Sequence, residues 1–233
     1  MVGRQQDQTE KFTGYHSLDL TNKIYQVKAL RLISTLNLHP APSILELGSA
    51  DDSFLQLVCR QTNGRGRGLD ITQGDDLEKP FRIKSGSIDL VLALEIIEHL
   101  FDTDHFLSEI YRVLKPGGYL ILSTPNLASL TNRFRLLVGA YPQYLEYSRA
   151  GAGHIHLYTP RVLLAQLSAA KLKIVRLTSP NFLCPFITKP WFPQLFRDFC
   201  IYLGDLLPTL GSHLIVVASK QSVNPACSRG KKK

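Results

Sequence analysis

Histidine is the side chain that most readily takes or gives a proton near neutral pH, and His99, His154 and His156 stand in stretches that read as loops. His99 lies in Glu98-His99-Leu100-Phe101-Asp102, just after a buried apolar run. His154 and His156 lie in Gly153-His154-Ile155-His156-Leu157-Tyr158-Thr159, where extended backbone would put both rings on one side. If a hydroxyl proton must be removed, these are the candidate bases; the plainer role for each is packing or capping. Carboxylates form a second group, with Glu46, Asp51 and Asp52 around Gly48. A dinucleotide site asks for G-x-G-x-x-G, and Gly48-Ser49-Ala50-Asp51-Asp52-Ser53 lacks its second and third glycines. The carboxylates would repel a diphosphate and suit a ligand that carries positive charge. Cys59, Cys184, Cys200 and Cys227 are spaced for neither a zinc site nor a redox dithiol. No metal is expected, and the thiols read as reduced.

Strands whose ends meet must position these residues. Ser43-Ile44-Leu45-Glu46-Leu47 is a short apolar run that breaks at Gly48, and Ser53 suits the N-cap of a helix through Phe54, Leu55, Leu57 and Val58. Gly64 to Leu69 ends at Asp70, and Ile88 to Leu94 is the near-continuous apolar run of a strand buried on both faces. Asp102 or Thr103 caps a helix carrying Phe106, Leu107, Ile110 and Val113, which Lys115-Pro116-Gly117-Gly118 ends before a strand from Tyr119 to Leu122. A helix on Leu127, Leu130, Phe134 and Leu137 follows, Thr159-Pro160 opens another, and Ile174 to Leu177 and Leu214 to Ala218 read as late strands. Ahead of them all, Ile24, Val27, Leu30 and Ile33 recur at helical spacing before His39-Pro40-Ala41-Pro42. Strand and helix alternating through short connections imply a doubly wound α/β sheet.

Five blocks in order resemble the class I S-adenosylmethionine-dependent methyltransferases, in particular the small-molecule branch of ubiquinone-type enzymes. They are Ile44 to Phe54, Gly68-Leu69-Asp70, Gly74-Asp75-Asp76-Leu77, Ser87 to His99, and Leu114-Lys115-Pro116-Gly117-Gly118 leading to Ser123-Thr124-Pro125-Asn126. The resemblance implies a Rossmann-like sheet, mostly parallel with an antiparallel last strand and helices on both faces, and S-adenosyl-L-methionine as cofactor. Gly48, Ser49, Ala50 and Asp51 would form the cofactor turn. Glu46 would orient it or meet the amino-acid end. Asp70 would offer its two oxygens to the ribose hydroxyls, Asp75 or Asp76 would take the adenine amino group, and Leu77 would lie against the ring. Leu94, Glu95 and Ile96, at the exit of the family's fourth strand, would face the methionine part. His99, and one of His154 and His156, match positions where relatives carry histidine. The departures are Ala50 and Asp52, where the family has glycine, and the short interval from Asp70 to Asp75, which predicts a trimmed sheet edge in place of a secure third strand.

A chain of 233 residues, 44% hydrophobic and 20% charged, can bury one large core. The expected division is an N-terminal helical lid over 1–42, in which Tyr15 and His16 could fold over the cofactor, a methyltransferase domain over 43–220 with acceptor-side insertions at 127–160 and 180–208, and a disordered basic tail over 221–233. The net charge of +8 draws half its value from Arg229, Lys231, Lys232 and Lys233 in that tail. The fourth-strand exit, Leu94-Glu95-Ile96-Ile97-Glu98, lacks the Asn/Asp-Pro-Pro-aromatic turn of nucleic-acid amino methylases, so no nucleic-acid partner is expected. The expectation is methyl transfer to a small-molecule, glycan or lipid-linked acceptor, against the alternative of a weak or inactive cofactor-binding relative. Without a spanning run or signal peptide, a cytoplasmic protein is expected. The aromatic-rich stretch from Phe182 to Leu203, with Trp191 between Lys189 and Arg197, would either cover the sheet edge or stay partly exposed beside the active site, as a lid for a greasy acceptor or a contact with a membrane surface.

Overall fold

Apolar side chains alternate along the strands, and each alternate set finds its own layer of helices. The computed structural model describes residues 24–143, 153–182 and 193–221. Its elements are α1 (Ile24–Ile33), β1 (Ser43–Leu47), α2 (Ser53–Thr62), β2 (Arg65–Leu69), β3 (Ile88–Leu94), α3 (Thr103–Val113), β4 (Leu114–Pro125), α4 (Leu130–Leu137), α5 (Pro160–Ala169), β5 (Leu172–Thr178), α6 (Gln194–Leu206) and β6 (His213–Lys220). The six strands form one sheet in the order β2-β1-β3-β4-β6-β5, with β6 antiparallel to both neighbours and the β1, β2, β3 and β4 pairings parallel. On one face Ile44, Leu90, Leu92, Ile121 and Val217 pack with Ala29 and Ile33 of α1 and Phe54 and Val58 of α2. On the other, Leu45, Val91, Leu120 and Val216 pack with Phe106 and Ile110 of α3 and Leu163 and Leu167 of α5. This is the doubly wound α/β fold expected, antiparallel last strand included.

Local choices set the ends of the elements. Asp102 accepts the His105 N–H at 2.8 Å and starts α3, and Thr159 accepts from Val162 at the start of α5. Ser53 is not the cap of α2. Asp52 holds that position in a left-handed conformation, without a side-chain capping bond, because the tight turn before it leaves the chain no extended residue there. Lys115-Pro116-Gly117-Gly118 is a bulge within β4 rather than a turn outside it, since Ile88 pairs with Leu114 and Leu90 already with Tyr119.

No strand forms between β2 and β3. Segment 71–87 is tied instead to α3: Glu109 accepts the Phe81 N–H at 2.7 Å, and Arg112 donates to the Phe81 and Ile83 carbonyls. Among the described residues β2 is therefore an edge. Its Arg65 N–H bonds Pro42, and its Leu69 carbonyl accepts from Gly48, so the alternate residues Gly66 and Gly68 turn their backbone groups outward. A Cβ on Gly66 would run into Leu55 and Cys59 at 2.6 Å, which is why α2 can lie so close. A groove of about 470 Å³ remains along this edge, between Gln56, Arg67 and Asp75, away from the histidines.

The insertions are partly described. α6 is anchored by Asp205, which takes the buried Lys28 ammonium at 2.6 Å and the Thr178 hydroxyl at 2.5 Å, joining it to α1 and β5. Tyr15, His16, Trp191, Lys189, the Arg197 side chain and the basic tail lie outside the described residues.

Candidate active site

The turn from β1 into α2 keeps glycine geometry where two of its glycines are gone. Gly48, Ala50 and Asp52 have φ of 77°, 52° and 57°. A Cβ on Gly48 would press on Ile96 at 3.0 Å, so the first position needs glycine for space as well as conformation. Ser49 is buried, and neither its hydroxyl nor Asp52 Oδ1 has a hydrogen-bond partner among the described residues. Polar atoms left bare at such a turn suit a polar ligand. Across it, Asp70 at the end of β2 accepts the Ala50 N–H at 3.0 Å through Oδ2, and the Thr72 N–H and hydroxyl at 2.8 and 2.7 Å through Oδ1. Three of about four acceptor positions are thus filled, which leaves Asp70 one for a ligand unless Thr72 yields.

The other expected cofactor contacts are unevenly placed. Glu46 is buried within β1, on the side of Cys59, whose thiol burial and then Glu46 push up. Asp51 is exposed and accepts from Ser53 N–H at 3.1 Å. Asp75 lines the edge groove. Asp76 pairs with Lys79 at 3.0 Å, and that hydrogen bond holds its carboxyl below the usual range. Leu77 is in the core, 7% exposed, and Leu94 is equally enclosed.

A cluster of acids and histidines gathers where β3 and β4 end. Glu95, left-handed at φ 55°, gives its N–H to the Ser123 carbonyl and receives the Ser123 hydroxyl on Oε1 at 2.6 Å. Its Oε2 lies 3.5 Å from His213 Nε2. Glu98 is 1% exposed and accepts the Thr124 hydroxyl on Oε2 at 2.9 Å, while its Oε1, 4.0 Å from His99 Nε2, accepts no hydrogen bond among the described residues. The Glu98 carbonyl takes the N–H groups of Ile155 and His156 and so fixes the histidine-bearing segment beside it. The His99 and His154 rings meet edge to face at 4.7 Å. His156 shares that side of the segment, between exposed Ile155 and Leu157, but its Nε2 lies 3.3 Å from the Phe101 carbonyl.

Burial governs protonation here. It pushes Glu95 up to about 7. It pushes Glu98 well above the ordinary carboxylate value, with the Glu95 charge adding to it. His213 is pushed down to about 4, by burial first and His154 second. Glu98, His99 and His154 each bring a ligand atom within 4.8 Å of the others, a set that could hold a divalent cation; the cysteine spacing that argued against metal has no bearing on it. Sequence reasoning missed Glu98, Ser123, Thr124 and His213 as members of the site. The first three lie in blocks already singled out, whereas His213 carries no motif.

Residues 22–177 match the model of a family described as a methyltransferase domain. The chain belongs to that family. This methyltransferase domain is 45% identical over 58 residues, 25% of the chain and 22% of the relative, to a probable S-adenosylmethionine-dependent methyltransferase of Mycolicibacterium smegmatis. It is 26% identical over 126 residues, 54% of the chain and 50% of the relative, to the ubiquinone biosynthesis O-methyltransferase of Brucella anthropi. It covers half or less of both curated relatives. Its fold is shared with a SAM-dependent methyltransferase from Archaeoglobus fulgidus, at TM-score 0.58 and 16% identity over 85% of the chain and 94% of that one. It is shared too with geranyl diphosphate C-methyltransferase from Streptomyces coelicolor, solved with S-adenosyl-L-homocysteine, at 0.54 and 12% over 88% and 86%. S-adenosyl-L-methionine is the family's cofactor, and the glycine-like turn, the bare polar atoms and Asp70 fit it.

Proposed function

We propose that this chain transfers a methyl group from S-adenosylmethionine to a hydroxyl oxygen of a small-molecule or lipid-linked acceptor. The bound cofactor supplies a methyl on a cationic sulfur, a leaving group that needs no protonation. Asp70 holds the turn and offers its remaining acceptor position to the ribose, and Glu95 faces the ammonium of the amino-acid end. What the chain must add is in-line placement and a home for the hydroxyl proton. The observation that carries the reading is the His99–His154 pair at 4.7 Å beside the buried Glu98 carboxyl. A neutral histidine takes the proton as the new carbon–oxygen bond forms. Relatives are named for O-methylation and N-methylation; an amine that arrives neutral attacks through its lone pair without this base, whereas a hydroxyl needs one as the bond forms, which favours oxygen here. Calorimetry with S-adenosylmethionine, followed by turnover on a panel of phenols and catechols, tests the proposal. Binding without turnover on any hydroxyl acceptor would favour the inactive relative.

A second reading uses the same side chains. Three ligand atoms within 4.8 Å favour a divalent cation that would bind the acceptor oxygen and lower its pKa. Loss of turnover in chelator, with recovery on adding Mg²⁺ or Mn²⁺, supports it; indifference to chelator leaves the histidine base.

Exposed apolar residues support a greasy acceptor. Phe134, Leu136, Leu137 and Val138 at the end of α4 sit beside Arg133 and Arg135, and Leu195, Phe199, Tyr202 and Leu206 form a stripe on α6. Among the described residues no helix is long and apolar enough to cross a membrane, so any contact would be at a surface.

A further inference from the structure

Among the described residues the sheet has two outer strands, β2 and β5. β5 is protected: its register shifts between Ile174 and Arg176, and Asp205 of α6 takes both the Arg176 guanidinium and the Thr178 hydroxyl. β2 has neither device. Its five residues pair with β1 in unbroken register, and Arg65, Gly66 and Arg67 are exposed. Arg65 and Leu69 spend backbone groups on the β1 side, so the N–H and C=O of Gly66 and of Gly68 face away from the sheet, spaced for a further strand. Side chains alternate along β2, and its two faces differ in chemistry. The glycines lie against α2, where a Cβ on Gly66 would meet Leu55 and Cys59, and one on Gly68 would meet Asp52 and Ser49. Beside them runs the groove of about 470 Å³, walled by Leu55, Gln56 and Cys59 of α2 and by Gln73 and Asp75. The opposite face carries Leu69 in the core and, outside it, Arg65 and Arg67. Among the described residues neither guanidinium has an ion pair or a hydrogen bond to an acid.

We propose that the outer side of β2 is a docking site for an extended segment of another protein, which adds as a further strand and alternates small apolar residues with acidic ones. Residues opposite one another across paired strands share a face. The apolar set therefore enters the groove beside Gly66 and Gly68, against Leu55 and Cys59, while the acidic set stands opposite Arg65 and Arg67 and supplies the charge those guanidinium groups lack. This holds for either direction of the added strand. Main-chain bonds to the two glycines give affinity, and the alternate side chains give selectivity. The surface lies away from the histidines, so the proposal is independent of the methyl-transfer chemistry.

The probe is a short synthetic peptide that alternates valine and glutamate, capped at both ends and titrated to millimolar concentration into the full chain, with amide hydrogen exchange read residue by residue. At saturation, exchange at Gly66 and Gly68 should slow about tenfold or more, while Arg65, whose N–H already bonds the Pro42 carbonyl, changes little. A peptide alternating valine and lysine should bind about tenfold more weakly or worse, because two cross-strand pairs turn from attraction to repulsion. N-methylation at the valines in one peptide, and at the glutamates in another, should abolish binding in whichever carries the methyls on the amides that face the glycines. Arg65→Glu with Arg67→Glu, both at exposed positions, should reverse the preference and make the lysine peptide the tighter one. Exchange at Gly66 and Gly68 that the glutamate peptide does not slow overturns the proposal. So does binding that survives both N-methylations, or a preference that survives the charge reversal. Both glycines already protected in the free protein would mean that this chain or a second copy covers the edge, and would overturn it equally.

Discussion

The Asp70 carboxylate receives the Ala50 N–H at 3.0 Å across the first turn, so one side chain both ties that turn and lies where the ribose is expected. Asp70→Ala should weaken S-adenosylmethionine by about 2–4 kcal/mol, through a lost charge-assisted ligand bond and a loosened turn. Calorimetry reads this directly, and an unchanged dissociation constant would remove Asp70 from the site.

Ala50 and Asp52 carry left-handed strain that glycine would relieve. Ala50→Gly and Asp52→Gly should each stabilise the fold by about 0.5–1 kcal/mol, because relief of about 1–2 kcal/mol exceeds the added freedom of the unfolded chain. Thermal unfolding should show rises of a few degrees each, with cofactor affinity kept or tightened. Weaker binding in the double variant would make the Asp52 carboxylate a working ligand.

His99 and His154 form the pair beside Glu98, whereas His156 leans on the Phe101 carbonyl. Alanine at His99 or His154 should lower turnover by ~10²–10⁴ with cofactor binding intact, and alanine at His156 should cost less. Equal and full turnover in all three variants would leave placement alone to explain the rate.

Burial pushes the Glu95 carboxyl up to about 7 from 4.5. The folded chain then holds that proton more tightly than the unfolded one, so the stability it contributes is present below pH 4.5 and lost as pH rises towards 7. Glu95→Gln removes this dependence, and with it the Glu95 charge that adds to the rise of Glu98. The melting temperature of the variant relative to wild type should climb across this window. A difference that is flat or falling would mean that Glu95 is charged throughout.

Leu137 is 81% exposed and Val138 77%, next to two arginines. If this end of α4 meets a lipid surface, Leu137→Asp should reduce cosedimentation with anionic vesicles without changing cofactor affinity. Wild-type protein that stays in the supernatant with such vesicles would restrict the acceptor to soluble molecules.

Much of the frame was legible because it depends on neighbours in the chain. The run at Ile88 to Leu94 can be buried only as a strand, and Asp102 and Thr159 cap helices through bonds three residues away. Conformations imposed from a distance were not legible. The letters Ala50 and Asp52 do not by themselves announce a positive φ; only the glycines that the resembling family carries there point to it. The shortage of residues after Asp70 did foretell the trimmed edge, since a helix and strand cannot fit there. His213 was invisible for a related reason: it joins Glu95 only once β6 has slid in antiparallel beside β4.

Among the described residues the missing strand leaves β2 ending the sheet with the backbone groups of Gly66 and Gly68 turned outward, a template of the kind that lets proteins stack into larger aggregates. Arg65 and Arg67 stand on one face of that same short edge, both exposed. Two copies meeting edge to edge would set arginines against arginines, and like charges facing each other across strands are destabilising. The arginines on the open edge thus disfavour one mode of pairing, edge to edge between copies of the chain.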